Sequence, residues 1–113
     1  MVTQVRPSQL SKWIASVQGP GPAVVLDVRE PHELQLASIQ ANGFELVTVP
    51  MGEVPLRLAE LDPSRPIACL CHHGGRSMQV AVFLKARGFD HVANISGGIH
   101  AWTTEVDPQV PQY

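Results

Sequence analysis

Short apolar runs alternate along the chain with segments whose apolar residues recur at helical spacing. Residues 23–26 show no alternation of apolar and polar side chains, which is typical of a strand covered on both faces in a parallel sheet. Further strands are predicted at residues 45–49, 67–70 and 92–95, and helices at residues 7–17, 31–37, 51–61 and 78–87. This alternation predicts an α/β layer fold with a central parallel sheet, in which ligands bind beyond the carboxyl ends of the strands.

Proline and glycine mark several boundaries between these elements. Pro7 suits the first position of the first helix, and the Gly-Pro-Gly-Pro run at residues 19–22 ends it. Residues 96–98 are predicted to form a tight connection to a turn around Ala101 and Trp102. The segment 107–113, rich in Pro and Gln, is expected to be an extended strap over the domain, or disordered.

Length and composition limit the possible classes of function. With 113 residues, of which 44% are apolar and 16% charged, the chain is expected to form one domain over residues 1–113 with a single active site. A net charge of -2, with scattered Lys and Arg, argues against nucleic acid or an anionic membrane as a partner. Residues 1–6 lack the apolar core of a signal peptide, so we expect an unexported, cytoplasmic protein.

Residues 67–77 run from an apolar strand through a glycine-containing loop into a helix, which places Cys71 at a strand-to-helix corner. The unpaired N–H groups and the dipole of a helix start favour an anionic sulfur, and Gly74 and Gly75 let the backbone point those amides inward. Because the dipole alone contributes only about 0.3–1 kcal/mol, amide hydrogen bonds and the guanidinium of Arg76 are needed as well. We therefore predict that Cys71 is largely thiolate at neutral pH.

Cys69 lies in a different environment, inside the apolar strand. It is expected to be a small buried core residue, with a resolving thiol as the alternative. The two cysteines are separated only by Leu70, a spacing that closes a disulfide only with distortion. Reduced thiols in a reducing compartment are therefore expected.

Three motifs, in order along the chain, resemble a known family. The segment Leu-Asp-Val-Arg-Glu-Pro at residues 26–31, the loop Cys-His-His-Gly-Gly-Arg at residues 71–76 and the segment Gly-Gly-Ile-His-Ala-Trp at residues 97–102 are similar to those of single-domain rhodaneses, which are thiosulfate sulfurtransferases. The resemblance covers nearly the whole chain. It implies a rhodanese-like three-layer fold, with a five-stranded parallel sheet flanked by helices on both faces, and no cofactor.

The length of the cysteine loop favours sulfur chemistry. Residues 71–76 give the six-residue loop of the sulfurtransferases, whereas the related phosphatases and arsenate reductases have one residue more. By this resemblance, the Cys71 thiolate attacks the outer sulfur of thiosulfate, sulfite leaves, and a persulfide forms that a thiophilic acceptor such as cyanide or a thiol then removes. The backbone amides of residues 72–76, including Gly74 and Gly75, would stabilise the terminal sulfur, and Arg76 would offset the charge of thiolate and donor.

The polar side chains next to Cys71 leave alternatives open. His72 and His73 are expected either to line the mouth and meet the donor or acceptor, with one of them shuttling a proton, or to be solvated bystanders. No metal is expected, because Cys-x-Cys-His-His is too compressed for the usual tetrahedral spacing. Ser77 is expected either to donate to the sulfur or to cap the following helix. The remaining histidines are expected to have surface or core roles: His32, His91 and His100.

The remaining predictions concern a pair of charged residues, an atypical segment and the alternatives to an enzyme. Asp27 and Arg29, at a strand end, are expected to make structural bonds rather than to act in catalysis. The chain departs from the family between Ala37 and Pro50, where residues 37–44 replace the His-Ile-x-Gly-Ala segment usual in rhodaneses, which predicts a reshaped wall near the pocket or an edge. The alternatives to the enzyme are a persulfide carrier between protein partners and a non-catalytic regulatory module. The presence of both Cys71 and Arg76 argues against the module.

Overall fold

The computed structural model describes residues 2–17 and 21–113. Gly19 and Pro20, predicted to help end the first helix, lie outside these residues. None of the helices within the described ranges is long and apolar enough to span a membrane. The described elements are the strands β1 (Thr3–Val5), β2 (Val24–Asp27), β3 (Glu45–Thr48), β4 (Ile67–Leu70) and β5 (Val92–Ile95), the helices α1 (Leu10–Ser16), α2 (Pro31–Leu36), α3 (Gly75–Ala86) and α4 (Gly98–Glu105), and 3-10 turns at Pro7–Gln9, Met51–Glu53 and Leu58–Glu60.

The strands form one parallel sheet, which confirms the predicted fold class. In the described part of the chain its order is β1-β5-β4-β2-β3, so β4 is the middle strand. Asp27 of β2 pairs with Leu70 of β4, and Ile67 of β4 pairs with Val92 of β5. The residue that follows Leu70 is therefore at the centre of the carboxyl edge of the sheet, where ligands bind in open α/β folds.

Both faces of the sheet are covered, which explains the uninterrupted apolar runs of its strands. Alternate residues of a strand point to opposite faces. One face carries Leu26 and Cys69 against α3, and the other carries Val25 and Ala68 against α1 and α4. The three layers of helix, sheet and helix predicted from the family resemblance are thus present.

Two predicted elements were wrong in detail. Residues 51–61 do not form one helix but two separate 3-10 turns, because Pro55 lacks an N–H and disfavours a helical conformation of the residue before it. The apolar spacing there still marks burial, since Val54 and Leu61 are both in the core. Residues 98–105 form the helix α4 where a turn was predicted around Ala101 and Trp102.

Candidate active site

Cys71 follows directly on β4 and faces the start of α3. Its side chain is almost completely buried, with 1% exposure. The backbone N–H of Gly74 donates a hydrogen bond to Cys71 Sγ over 3.1 Å. Gly74 has φ of 113°, a left-handed conformation that L side chains rarely adopt, and α3 begins at the next residue, Gly75. The structure therefore brings an amide donor and a helix N-terminus to the sulfur.

Cys69 is fully buried in the core between the sheet and α3. Burial, with a smaller effect of the nearby Cys71, raises the pKa of the Cys69 thiol far above its ordinary value. Cys69 and Cys71 are both free thiols. The prediction that Cys69 is a core residue is confirmed.

The first turn of α4 holds the cysteine loop in place. The N–H of Ile99 donates to the carbonyl oxygen of Cys71 over 2.9 Å, and the N–H of His100 donates to that of His72 over 3.1 Å. Gly98 makes this approach possible, because a Cβ there would lie 2.5 Å from the carbonyl oxygen of Cys71 and would also overlap the carbonyl of His72. The loop is therefore fixed at its backbone by two amides that would otherwise be unpaired at the helix start.

Arg76 is paired with Glu33, which the sequence did not reveal as a site residue. The guanidinium Nη1 and Nη2 donate to the two carboxylate oxygens of Glu33 over 2.6 and 2.8 Å, and the Tyr113 hydroxyl donates to Glu33 Oε2 over 2.6 Å. These bonds, led by those from Arg76, hold the pKa of Glu33 well below its usual range, and the carboxylate raises the pKa of Arg76. The charge of Arg76 is thus largely balanced within the protein.

A local signal for Glu33 exists, but it points to another role. Glu33 follows Glu30 by three residues, with Pro31 at the first position of α2, and its Oε1 accepts a hydrogen bond from the Glu30 N–H over 3.0 Å. That spacing is typical of a capping box. It predicts a helix start at this point, but nothing in it indicates Arg76, which lies 43 residues away.

Protonation of Glu33 should destabilise the protein. Because its pKa is lowered in the folded state, the unfolded chain takes up the proton first as the pH falls, so the stabilisation is present above about pH 5 and lost progressively below about pH 4. We expect Glu33→Gln to reduce the free energy of unfolding at pH 7 by roughly 1–3 kcal/mol. The same substitution should flatten the decline of stability between about pH 5 and pH 3, measured by urea unfolding at each pH.

The matched control is Glu53→Gln. Glu53 is also paired with an arginine, Arg57, but both side chains are exposed, and such pairs contribute little. The free energy of unfolding of the Glu53→Gln variant should depend on pH as that of the unsubstituted protein does. An equally steep decline in Glu33→Gln would mean that the pairing with Arg76 does not stabilise the fold.

Ser77 has neither of the roles predicted for it. Its buried hydroxyl donates to Asn94 Oδ1 of β5 over 2.5 Å, because the third residue of α3 faces the sheet rather than the loop. The Asn94 amide donates in turn to the carbonyl oxygen of Gly74 over 3.2 Å. Asn94, a polar residue among the apolar residues of β5, thus hydrogen-bonds to the backbone of the cysteine loop.

Asp27 and Arg29 form a buried ion pair, which confirms their structural interpretation. Arg29 is 0% exposed, and its guanidinium donates from Nε to Asp27 Oδ1 over 2.9 Å and from Nη2 to Oδ2 over 2.8 Å. Nη1 donates to the Tyr113 hydroxyl over 3.2 Å. The pair therefore ties the end of β2 to the tail of the chain.

The last residue, Tyr113, lies over the edge of the site. Its ring stacks on the imidazole of His72 with centroids 3.9 Å apart and an angle of 11° between the planes, and its carbonyl oxygen is 2.8 Å from His72 Nε2. Val110 of the same tail is buried against the α4 side of the core. The tail thus reaches from α4 to the cysteine loop.

Three imidazoles come together beside the loop, one of them unexpected. The rings of His72 and His73 stack with centroids 3.9 Å apart, and the centroid of His100, on α4, lies 5.0 Å from that of His73. Burial, followed by the charge of His73, lowers the pKa of His72. The side chains of His73 and His100 are exposed. The prediction of no metal rests on the compressed spacing of the Cys-x-Cys-His-His run alone. In the folded chain, His100 lies beside the two histidines of that run.

The atypical segment at residues 37–44 borders a different cavity. A groove of about 620 Å³ is lined by Gln40 and Phe44 from this segment, by Leu10, and by Trp102 and Glu105 of α4. Residues 71–77 are not part of its lining. Residues 40–44 of the atypical segment therefore border this groove, which does not include the cysteine loop.

A three-layer α/β fold with a cysteine loop at the carboxyl end of its middle strand defines the class of this protein. The model of the Rhodanese-like domain family matches residues 8–105, and the chain belongs to this family. Relatives of the chain include sulfurtransferases and sulfur carriers.

Individual relatives differ in how much of their length the chain spans. It is 42% identical over 95 residues to rhodanese-like/PpiC domain-containing protein 12, chloroplastic, of Arabidopsis thaliana, covering 80% of this chain but only 30% of that protein. It is 34% identical over 80 residues to the thiosulfate sulfurtransferase GlpE of Vibrio cholerae, covering 71% of this chain and 72% of that protein. The crystal structure of a rhodanese-related protein from Thermoplasma volcanium is similar with a TM-score of 0.76, at 29% identity, over 98% of this chain and 99% of that chain.

Proposed function

We propose that this protein is a sulfurtransferase that carries sulfane sulfur as a persulfide on Cys71. The observation that carries the proposal is the hydrogen bond from the Gly74 N–H to Cys71 Sγ at the start of α3. A sulfur held by an amide and by the positive end of a helix is stabilised as the anion, and the anion is the nucleophile. Thiosulfate or a related sulfane is the proposed donor, and cyanide or a thiol the proposed acceptor.

The reaction has two displacement steps. In the first, the Cys71 thiolate attacks the outer sulfur of thiosulfate, the sulfur–sulfur bond of the donor breaks, and sulfite leaves with the bonding electron pair. In the second, the acceptor attacks the terminal sulfur of the persulfide, and the Cys71 thiolate is the leaving group. The Gly74 N–H, which donates to Sγ, and the start of α3 would stabilise the anion formed in each step.

The burial of Cys71 restricts which donors can react. With only 1% of the residue exposed, we expect donors that present a small terminal sulfur atom to be favoured over bulkier ones. We assign Arg76 to the mouth of the site: its side chain is 35% exposed, and the bidentate bond to Glu33 fixes its guanidinium while balancing much of its charge. We assign His72 and His73 to the same mouth, where they meet donor or acceptor.

The mass of the intact protein after incubation with thiosulfate tests the proposal. We expect a gain of one sulfur atom, lost again when cyanide is added. The Cys69→Ala variant, changed only in the core strand, should gain the same mass. Loading from a protein persulfide but not from thiosulfate would instead make the protein a carrier between protein partners, and no gain from any sulfane donor would leave the regulatory module.

A further inference from the structure

We propose that His72, His73 and His100 form a binding site for a transition-metal cation of the Zn²⁺ type at the rim of the cysteine loop. The grouping of the three imidazoles is observed without reference to the persulfide chemistry proposed above, but two of them, His72 and His73, belong to the mouth assigned to donor and acceptor. Imidazole nitrogen is a preferred ligand of Zn²⁺, Cu²⁺ and Ni²⁺. Zinc sites that bind an exogenous group commonly have three protein ligands and a fourth position open to solvent.

The distances suit one shared cation. One ring nitrogen from each histidine lies within 4.8 Å of the other two. Zinc-to-nitrogen bonds of about 2.0–2.1 Å in a tetrahedral site require ligand nitrogens that stand about 3.4 Å apart. Binding therefore requires the nitrogens to move closer together, which we expect from rotation of the exposed side chains of His73 and His100.

The backbone holds the ligands of the site together. His72 and His73 follow β4 in the loop, and His100 lies in the first turn of α4. The hydrogen bond from the His100 N–H to the His72 carbonyl oxygen, over 3.1 Å, joins these two elements beside the rings. The backbone positions of the ligands are therefore fixed before a cation binds, which reduces the conformational entropy lost on binding.

The tail sets the tautomer of His72. Its Nε2 lies 2.8 Å from the main-chain oxygen of Tyr113, which only accepts hydrogen bonds. Nε2 therefore carries the proton, which leaves the lone pair of Nδ1 for the cation. Metal-binding histidines commonly donate their second ring nitrogen to a backbone carbonyl in this way.

Titration of the tag-free protein with Zn²⁺ alone, against a competing indicator, tests the site. We expect one bound ion per chain and at least tenfold weaker binding by His100→Ala. His32→Ala is the matched control, because it also removes an exposed histidine but lies outside the cluster, and it should bind as the unsubstituted protein does. Thermal unfolding of each variant shows whether its fold is retained.

Each alternative outcome would overturn the site. Equal binding by His100→Ala and the unsubstituted protein would exclude His100 as a ligand. Loss of binding in Cys71→Ser, with binding retained in His100→Ala, would assign the metal to the thiol. The absence of binding at zinc concentrations in the hundred-micromolar range would show that the three imidazoles do not form a cation site.

Discussion

Replacing Cys71 with serine should reduce transfer of sulfur from thiosulfate to cyanide by at least roughly a thousandfold, to the background rate. Serine keeps nearly the same shape, and its hydroxyl still accepts the hydrogen bond that the Gly74 N–H now donates to sulfur. A hydroxyl is not ionised at neutral pH, however, and does not form the persulfide. The rate of thiocyanate formation at saturating thiosulfate measures the effect.

The control for this substitution is Cys69→Ala. Cys69 is fully buried in the core and its thiol pKa is raised, so it has no thiolate to contribute at neutral pH. Its variant should keep most of the activity, with some loss of stability from the cavity left behind. Activity of Cys71→Ser above a few per cent of the unsubstituted protein would place the nucleophile elsewhere.

The sheet could be predicted where burial is complete. Every residue of β2, β4 and β5 is buried, so most of their side chains are apolar and do not follow helical spacing. The strand β1 could not be predicted from its apolar pattern, because two of its three side chains, Thr3 and Gln4, are exposed. Apolar spacing also failed to distinguish one helix from two 3-10 turns at residues 51–61, since both bury the same side chains.

The site could be predicted only where its residues are close in sequence. The run from Cys71 to Arg76 is contiguous, so its loop length and glycines can be read directly. Glu33, Tyr113 and His100 join it through the fold, at separations such as the 41 residues between His72 and Tyr113. A single Glu or His far along the chain looks like any surface residue, and no local pattern indicates its partner.

The pairing of Arg76 with Glu33 changes the electrostatic picture that the loop suggests by itself. From the sequence of the loop alone, Arg76 is expected to be a cation near the sulfur with no carboxylate partner. In the fold its planar guanidinium is held by a bidentate carboxylate bond, which fixes its position and balances its charge. The Gly74 N–H and the start of α3 then account for more of the stabilisation proposed for the anionic sulfur.

Substitution of Gly98 with alanine should destabilise the whole domain by about 2–5 kcal/mol. Gly98 has φ of 59°, where a side chain costs about 1–2 kcal/mol, and the new Cβ would lie 2.5 Å from the carbonyl oxygen of Cys71 and 2.6 Å from the carbonyl carbon of His72. These backbone atoms cannot turn away as a flexible side chain can, so either α4 or the cysteine loop must move. Urea unfolding at neutral pH measures the loss.

Movement of the loop should also slow sulfur loading of Cys71, because the Ile99 and His100 amides now hold the carbonyls of Cys71 and His72. Gly52→Ala is the matched control: Gly52 has no positive φ, and no heavy atom of the described residues lies within 4 Å of its Cβ position. That variant should stay within about 0.5 kcal/mol of the unsubstituted protein. If Gly98→Ala were equally stable and loaded sulfur equally fast, the close approach of α4 would not be what holds the cysteine loop in its reactive shape.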